Sequence, residues 1–554
     1  MITTSPGAGQ ILADRLEIRA GPLLGGGRLV RDYLAGLDLS AFFTGHFSDP
    51  QVYERKAAEV DGRLDARARA IAGAAIEPLG DAGERLHRIL GGDGFFVTTG
   101  QQPALFGGPL YTLYKVLSAI RQAEHLERRL GRPVLALFWV GSDDHDWEEA
   151  NHAAVFDAQQ HVHRITVPAP DVPPLPLSRR RWGAGVLQAV EELRRALPAT
   201  DHSDDVMAHV RGAYTAHATV ADSSTATMRW LLGDRRVAIV DSAHPALRRA
   251  AVPVLVREAE RTRQHNAVLL GQTRRLEAAG YGAQVVIAAD ASNLMMIDEN
   301  GRDRIMRTAR GWQTRREHEK IGEAELIGRI RARPESFSPN VLLRPVVESA
   351  AFPTIAYVAG PGELSYFAQI GCLFAAHGIL PPVIVPRASV TLIEPKVRRL
   401  LAKLDMEPDA LRRPFRDVVA DAVAAEVPVD VQRALAHLRR VLTEGYEELA
   451  AAAAGIDPTL RRPLTSARNA SLLETHAAEK RILARLRRTH EVKIEQLRRA
   501  AAHIQPEGAP QERVLGPLPL VAEYGRGIVA EIEARIDMNT AQVADWSGPH
   551  CGEW

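Results

Sequence analysis

Apolar positions along the chain switch between two rhythms, a short continuous run and a helical repeat, in a recurring order. Residues 94–99 form a short apolar run that reads as a buried strand. The next ten residues, to Pro109, form a loop containing three glycines and two prolines. Leu113, Val116, Leu117 and Ile120 then recur at helical spacing, which predicts a helix over 110–130. Pro109 suits its first turn and Gly131 its end. Residues 133–140 are a continuous apolar run of strand length, as expected of a parallel strand covered on both faces. The result is a β–loop–α–β unit, with right-handed crossover as the default. Further strands are predicted at 236–241, 284–289 and 382–385, with helices between them, for example over 246–278. The alternation predicts an α/β fold built on a doubly wound parallel sheet. Two intervals interrupt it, about 153–230 and about 291–335. The second carries Glu299-Asn300-Gly301 between apolar runs, a hairpin signal.

After Lys403 the rhythm becomes heptad-like. Val431, Leu435, Leu438, Leu442, Tyr446 and Leu449 make one seam; Leu483, Leu486, His490, Ile494, Leu497, Ala501 and Ile504 make another. The Gly455 to Pro463 stretch separates them, so an antiparallel coiled-coil hairpin is predicted, with the remaining apolar face suggesting a homodimer. The domain reading is 1–90, mainly helical and packed on the core; 91–405, the core with its two insertions; 406–510, the hairpin; and 511–554, one more helix and a Gly/Trp-rich tail.

Bulk composition narrows the function classes. With 46% hydrophobic and 25% charged residues, the chain is that of a folded globular protein. Lys+Arg total 69 against 68 for Asp+Glu, so overall charge argues against nucleic acid or a membrane surface as partner. The window 479–499 is basic, with eight Lys/Arg and three Glu; it reads as a solvated coiled-coil face or, in a second reading, an RNA contact. Two cysteines, Cys372 and Cys551, exclude a disulfide framework and a four-cysteine zinc site. The first twenty residues carry scattered charge and no apolar block, and no window approaches a bilayer-spanning length. The expected location is the cytoplasm.

Four segments concentrate candidate chemistry. The first is Thr99-Gly100-Gln101-Gln102 with Gly107, Gly108, Tyr111 and Lys115: a glycine-rich loop between a strand and a helix start is where such a sheet binds phosphate or carboxylate. It lacks Gly-Lys-Ser/Thr and is no Walker loop. The second is Asp143-Asp144-His145-Asp146, with Glu148, Glu149 and His152 close by. Carboxylates beside imidazole serve as general base toward an amine, hold a divalent ion, or hold the amino group and hydroxyls of an amino sugar. Asp144, His145 and Asp146 are the catalytic candidates. The spacing is no standard metal set, so no metal ligand is assigned. The third joins Asn340 and Arg344 to Gly360, Gly362, Glu363 and Tyr366, with Arg344 suited to clamp a carboxylate. The fourth is a strand end carrying Arg387.

The strand–loop–helix segment resembles the nucleotide site of class I aminoacyl-tRNA synthetases, without their His-x-Gly-His residues. Taken together, Thr99-Gly100-Gln101-Gln102, Gly108-Pro109-Leu110-Tyr111-Thr112, Asp144-His145-Asp146, Ser338-Pro339-Asn340, Arg344-Pro345 and Ala359-Gly360-Pro361-Gly362-Glu363 resemble the cysteine ligase family of bacillithiol biosynthesis over nearly the whole chain. That resemblance implies a Rossmann-like core with two connecting insertions and a dimerising coiled coil. It also implies a reaction joining the carboxyl of cysteine to the amine of glucosaminyl-malate, with Mg-ATP as the expected activator. One departure stands out: Glu348-Ser349 occupies the place where the family pattern leads one to expect Gln-Asp. Two other classes compete, an RNA-binding synthetase relative without ligase chemistry, and a nucleotidyl or acyl transferase acting on another amino sugar.

Overall fold

The computed structural model describes residues 16–538 apart from 22, 24, 157–160 and 170; Cys551 and the Gly/Trp-rich end lie outside the described residues. They fall in two compact units, one of residues up to 392 together with those from 511 on, the other of residues 393–510.

The first unit is built on a six-stranded sheet: β1 (Ile76–Pro78), β2 (Phe95–Gln101), β3 (Val134–Val140), β4 (Val237–Asp241), β5 (Thr354–Ala359) and β6 (Val383–Pro386). Their spatial order is β6-β5-β2-β3-β4-β1. Only β1 runs antiparallel to its neighbour. Every residue of β3 and β5 is buried, which is why β3 reads as an unbroken apolar run rather than an alternation; β5 is a strand that the sequence reading did not predict. The chain winds outward from β2 through β3 to β4, then returns to the other side of β2 with β5 and β6. That reversal puts a crevice between the C-terminal ends of β2 and β5, the place where doubly wound sheets bind ligands. Helices α1 (Leu110–Leu130), α2 (Pro245–Ala278), α3 (Arg344–Ala351) and α4 (Pro361–Ala376) follow or precede these strands. In α1, Leu113, Val116, Leu117 and Ile120 are all buried, and Gly131 ends the helix at φ 64°.

Both insertions are present. The first adds an antiparallel pair, His152–Phe156 with Val162–Thr166, and three helices ending in Val220–Leu232. The second forms a five-stranded sheet in which Asp298 faces Gly301 across the expected hairpin turn.

Two expectations for this unit are corrected. Residues 284–289 form no strand. The Val285 N–H donates to Gln369 Oε1 at 3.1 Å and its carbonyl accepts from Gln369 Nε2 at 2.7 Å, so a side-chain amide supplies what a neighbouring strand would have. The tail from 511 holds three short helices instead of one, Gln511–Val514, Leu518–Tyr524 and Gly527–Arg535. Leu518, Val521, Ile528 and Ile532 bury themselves in the main core.

In the second unit, α5 (Val429–Ala454) and α6 (Arg461–Thr489) run as an antiparallel hairpin. Arg439 pairs with Glu479 at 2.5 Å and Tyr446 Oη lies 3.1 Å from Ser471 Oγ. The second predicted helix is broken at His490 (φ −102°, ψ 25°), and α7 (Glu491–Ile504) follows. The break lets Leu497, Ala500 and Ile504 pack on Val397, Leu401, Leu411 and Val418, where this unit has its core.

Candidate functional site

The crevice at the reversal point opens into a cavity of about 650 Å³ in the first unit. Gly100, Gln101, Gln102, Tyr111, Lys115, Asp144, His145, Asn340, Arg344, Gly360, Gly362, Glu363, Tyr366 and Arg387, fourteen of the sequence-predicted residues, line it. Segments separated by more than 200 positions thus converge because each sits at a strand end or helix start on the same edge of the sheet. Gly100 sits in a tight space: a Cβ there would lie 3.3 Å from Tyr357 Oη and 3.4 Å from Trp139 Cβ.

At the crevice floor lies a buried polar network. Lys115 Nζ pairs with Glu363 at 2.6 Å and also bonds the Gly100 carbonyl, tying α1 to the start of α4 and the end of β2. Burial lowers the Lys115 ammonium, while Glu363 pulls it back. Burial alone would raise Glu363, but Lys115, the Gly360 N–H at 2.8 Å and Tyr357 Oη at 2.7 Å hold its carboxyl below the ordinary value. Glu363 is therefore ionised at neutral pH and already engaged.

Arg344 is committed as well. Its Nη1 donates to Glu348 at 2.8 Å, and its Nη2 to Tyr357 Oη and Tyr366 Oη at 3.2 Å each. The Glu348 that departs from the family pattern is thus a buried partner of Arg344, also bonded by Thr98 Oγ1 at 2.5 Å. Arg387 lies over the Tyr111 ring and pairs with Glu512 at 2.7 Å; its buried Nε has no hydrogen-bond partner among the described residues.

Acidic and cationic side chains line the cavity together. Asp144 Oδ1 accepts the backbone N–H of His145 at 2.6 Å and of Asp146 at 3.1 Å, fixing the loop after β3. His145 Nδ1 has no hydrogen-bond partner among the described residues and lies 3.7 Å from Asp144 Oδ1. Burial first, and Arg302 second, lower the His145 pKa, so the imidazole is neutral at physiological pH and able to accept a proton. Asp143 is buried and paired with Arg248. The lining also holds arginines that sequence reasoning missed: Arg302 and Arg304 from the second insertion and Arg513 from the tail. Among the described residues none of these three has a carboxylate partner. Arg302 is held instead by Ser338 Oγ at 3.0 Å and the Pro339 carbonyl at 2.7 Å. Trp139, Tyr357, Gln284 and Met295 also line the space without having been predicted. The alternation Arg302, Arg304 along a strand was the available signal, since both then face one side.

Four predicted residues lie elsewhere. Thr99 is buried within the sheet, its Oγ1 bonded to the Val358 carbonyl at 2.9 Å. Gly107 and Gly108 adopt φ 86° and 73°, but their loop turns toward the first insertion, where a Cβ on Gly107 would meet Thr227 at 3.1 Å. At the start of α1 the Leu110 N–H donates to the Leu515 carbonyl at 2.8 Å, so the expected anion-binding helix start is closed by the tail. Asp146 caps the short helix Trp147–Ala150, accepting from the Glu149 N–H at 3.1 Å, and faces solvent.

Comparison with known proteins agrees with this architecture. Residues 17–388 match the N-terminal Rossmann-like domain of bacillithiol biosynthesis BshC, and residues 390–541 match its C-terminal coiled-coil domain. Relatives provisionally named cysteine ligase BshC include one from Salinibacter ruber, 33% identical over 81% of this chain and 82% of its own. Another from Prosthecochloris aestuarii is 31% identical over 79% and 80%, and one from Solibacter usitatus is 29% identical over 92% and 95%. With both family domains matched in order along the chain, this protein belongs to the BshC family of bacillithiol biosynthesis.

Proposed function

We propose that the chain is a ligase that joins the carboxyl of L-cysteine to the amine of glucosaminyl-malate, forming bacillithiol as the last step of its synthesis. The observation that carries this reading is one cavity lined both by the carboxylates Asp144 and Glu149 beside His145 and by the guanidinium groups of Arg302, Arg304 and Arg513. An amino sugar linked to a dicarboxylate has the complementary polarity: its amine and hydroxyls suit the carboxylates, and its malyl carboxylates suit the guanidinium groups. The names carried by the relatives support the same chemistry.

Amide formation from a free carboxylate is uphill in water, so the acyl carbon must be activated. Mg-ATP would supply that activation. Of the three arginines, Arg513 from the tail would hold its phosphates and leave Arg302 and Arg304 to the malyl carboxylates, whereas the Gly107–Gly108 loop, facing the insertion, does not fit them. The residues of this chain then position and deprotonate. His145 would take the proton from the sugar amine as the new C–N bond forms and the C–O bond between the acyl carbon and its activating group breaks, releasing that group. Asp144 fixes the loop that carries His145. Holding amine and acyl carbon together contributes roughly 7–11 kcal/mol through proximity. Arg344 shapes the floor through its ring contacts with Trp139 and Tyr357.

The test is mass spectrometry on purified protein incubated with cysteine, glucosaminyl-malate and Mg-ATP, beside a sample without ATP. Bacillithiol formed only with ATP is the expected result, and the nucleotide released names the activation route. No bacillithiol in either sample overturns the proposal and returns the amino-sugar transferase reading.

A further inference from the structure

Away from the cavity, the first unit buries a second group of metal-binding side chains. Glu258 and His265 lie two turns apart on α2, and His377 caps the C-terminal end of α4. All three are buried, at 0%, 1% and 8% exposure. Each offers one oxygen or nitrogen, and these atoms lie within 4.8 Å of one another. Burying two imidazoles and a carboxylate together is costly unless their polar atoms are satisfied. Here they are not: Nε2 of His265 and Nε2 of His377 have no hydrogen-bond partner among the described residues. The two rings face each other with centroids 4.8 Å apart, and His265 Nδ1 lies 2.5 Å from Glu258 Oε2. Helix α2 is kinked at Arg261, between the two ligands it supplies.

We propose that Glu258, His265 and His377 form a buried binding site for a divalent transition-metal ion of the zinc class. Two imidazoles and one carboxylate are a donor set that such ions prefer over magnesium or calcium. Tetrahedral ligation places neighbouring donor atoms roughly 3.3–3.6 Å apart, between the 2.5 Å of the His265 Nδ1–Glu258 Oε2 pair and the 4.8 Å that bounds the group. The outer carboxylate oxygen is already held: Glu258 Oε1 accepts from the Asn293 backbone N–H and from Asn293 Nδ2, both at 3.0 Å. Asn293 Oδ1 in turn accepts from Asn340 Nδ2 at 2.9 Å. Asn340 lines the substrate cavity, and its Oδ1 takes the N–H groups of Leu342 and Leu343 at the start of α3, the helix that carries Arg344. The ion is therefore a positioning element, linked by one continuous hydrogen-bond chain to the cavity wall; it does not touch the reacting atoms.

The experiment uses the full chain, stripped with a chelator, loaded with Zn²⁺ or Co²⁺, freed of excess metal and assayed by elemental mass spectrometry. About one ion per chain is expected, with binding weakened about 100-fold or more in His265→Gln and in His377→Gln. Far-UV circular dichroism checks the fold of each variant. His377, at a helix end, is the substitution that leaves α2 untouched, and the visible bands of Co²⁺ in the unaltered protein report nitrogen ligation without any substitution. Absence of retained metal, or equal retention by His377→Gln, overturns the proposal; the second result would place the ion beside the cavity carboxylates instead.

Discussion

At the scale of residues, the neighbours His145 and Asp146 show how differently two adjacent candidates are used. His145 lines the cavity and has a ring nitrogen without a hydrogen-bond partner among the described residues, while Asp146 faces solvent and caps a helix turn. His145→Gln should lower kcat by about 100-fold or more, the usual contribution of a general base, with little change in KM for cysteine. Asp146→Ala should keep kcat near the unaltered value and cost about 1 kcal/mol of stability, as loss of a helix cap does. Steady-state kinetics with thermal unfolding on both variants checks this. Equal losses of activity would return Asp146 to the mechanism. Arg344 carries a related lesson: its guanidinium is engaged by Glu348 and two tyrosines, which leaves the recognition of substrate carboxylates to arginines from other segments.

At the scale of elements, the crevice depends on helices being held against the sheet by buried polar ties. Lys56, on the helix Pro50–Arg63, is such a tie: fully buried, it donates to the Leu380 carbonyl at 2.5 Å and pairs with Glu59 at 2.6 Å. Burial pushes its ammonium down from 10.5 to about 8, against the pull of Glu59. The sign follows from proton counts: between pH 8 and 10.5 the unfolded chain binds more protons than the folded one, so this lysine makes stability rise with pH in that window. Below pH 8 the cost of burying the charge is present in full. The gap corresponds to roughly 3 kcal/mol at most. In denaturant unfolding, the stability of the protein relative to Lys56→Met should therefore rise between pH 7.5 and 10. A pH-independent difference would mean that Lys56 keeps its proton throughout.

At the scale of the molecule, the hairpin poses its own question. Helix α5 buries none of its residues within the chain, and Leu438, Val441 and Leu449 stand 45%, 48% and 51% exposed on one stripe. Exposed apolar stripes on long helices mark association surfaces, and we propose that the hairpin makes the chain a homodimer. Replacing Leu438 and Leu449 together by Glu should halve the mass seen by sedimentation equilibrium while leaving helicity unchanged, because neither side chain contributes to the core of its own unit. An unaltered mass would locate self-association elsewhere or show that the chain is monomeric.

The sequence alone determined β2, β3, β4 and β6, α1, α2, both insertions and the hairpin, because burial on two faces and helical spacing leave periodic marks that need no knowledge of neighbours; it did not mark β5. It also marked fourteen residues of the cavity lining, since glycine-rich turns and acidic clusters at strand ends carry their own local signature. Three things were decided only by tertiary structure. Residues 284–289 look like a strand by composition, yet Gln369 from α4 takes their backbone groups. The loop at Gly107 and Gly108 has the local form of an anion site, yet the tail at Leu515 fills it. The cavity lining draws Arg302, Arg304 and Arg513 from an insertion and from the tail. In each case the deciding partner lies tens to hundreds of positions away, and a local pattern holds no record of which distant group arrives to satisfy, block or complement it.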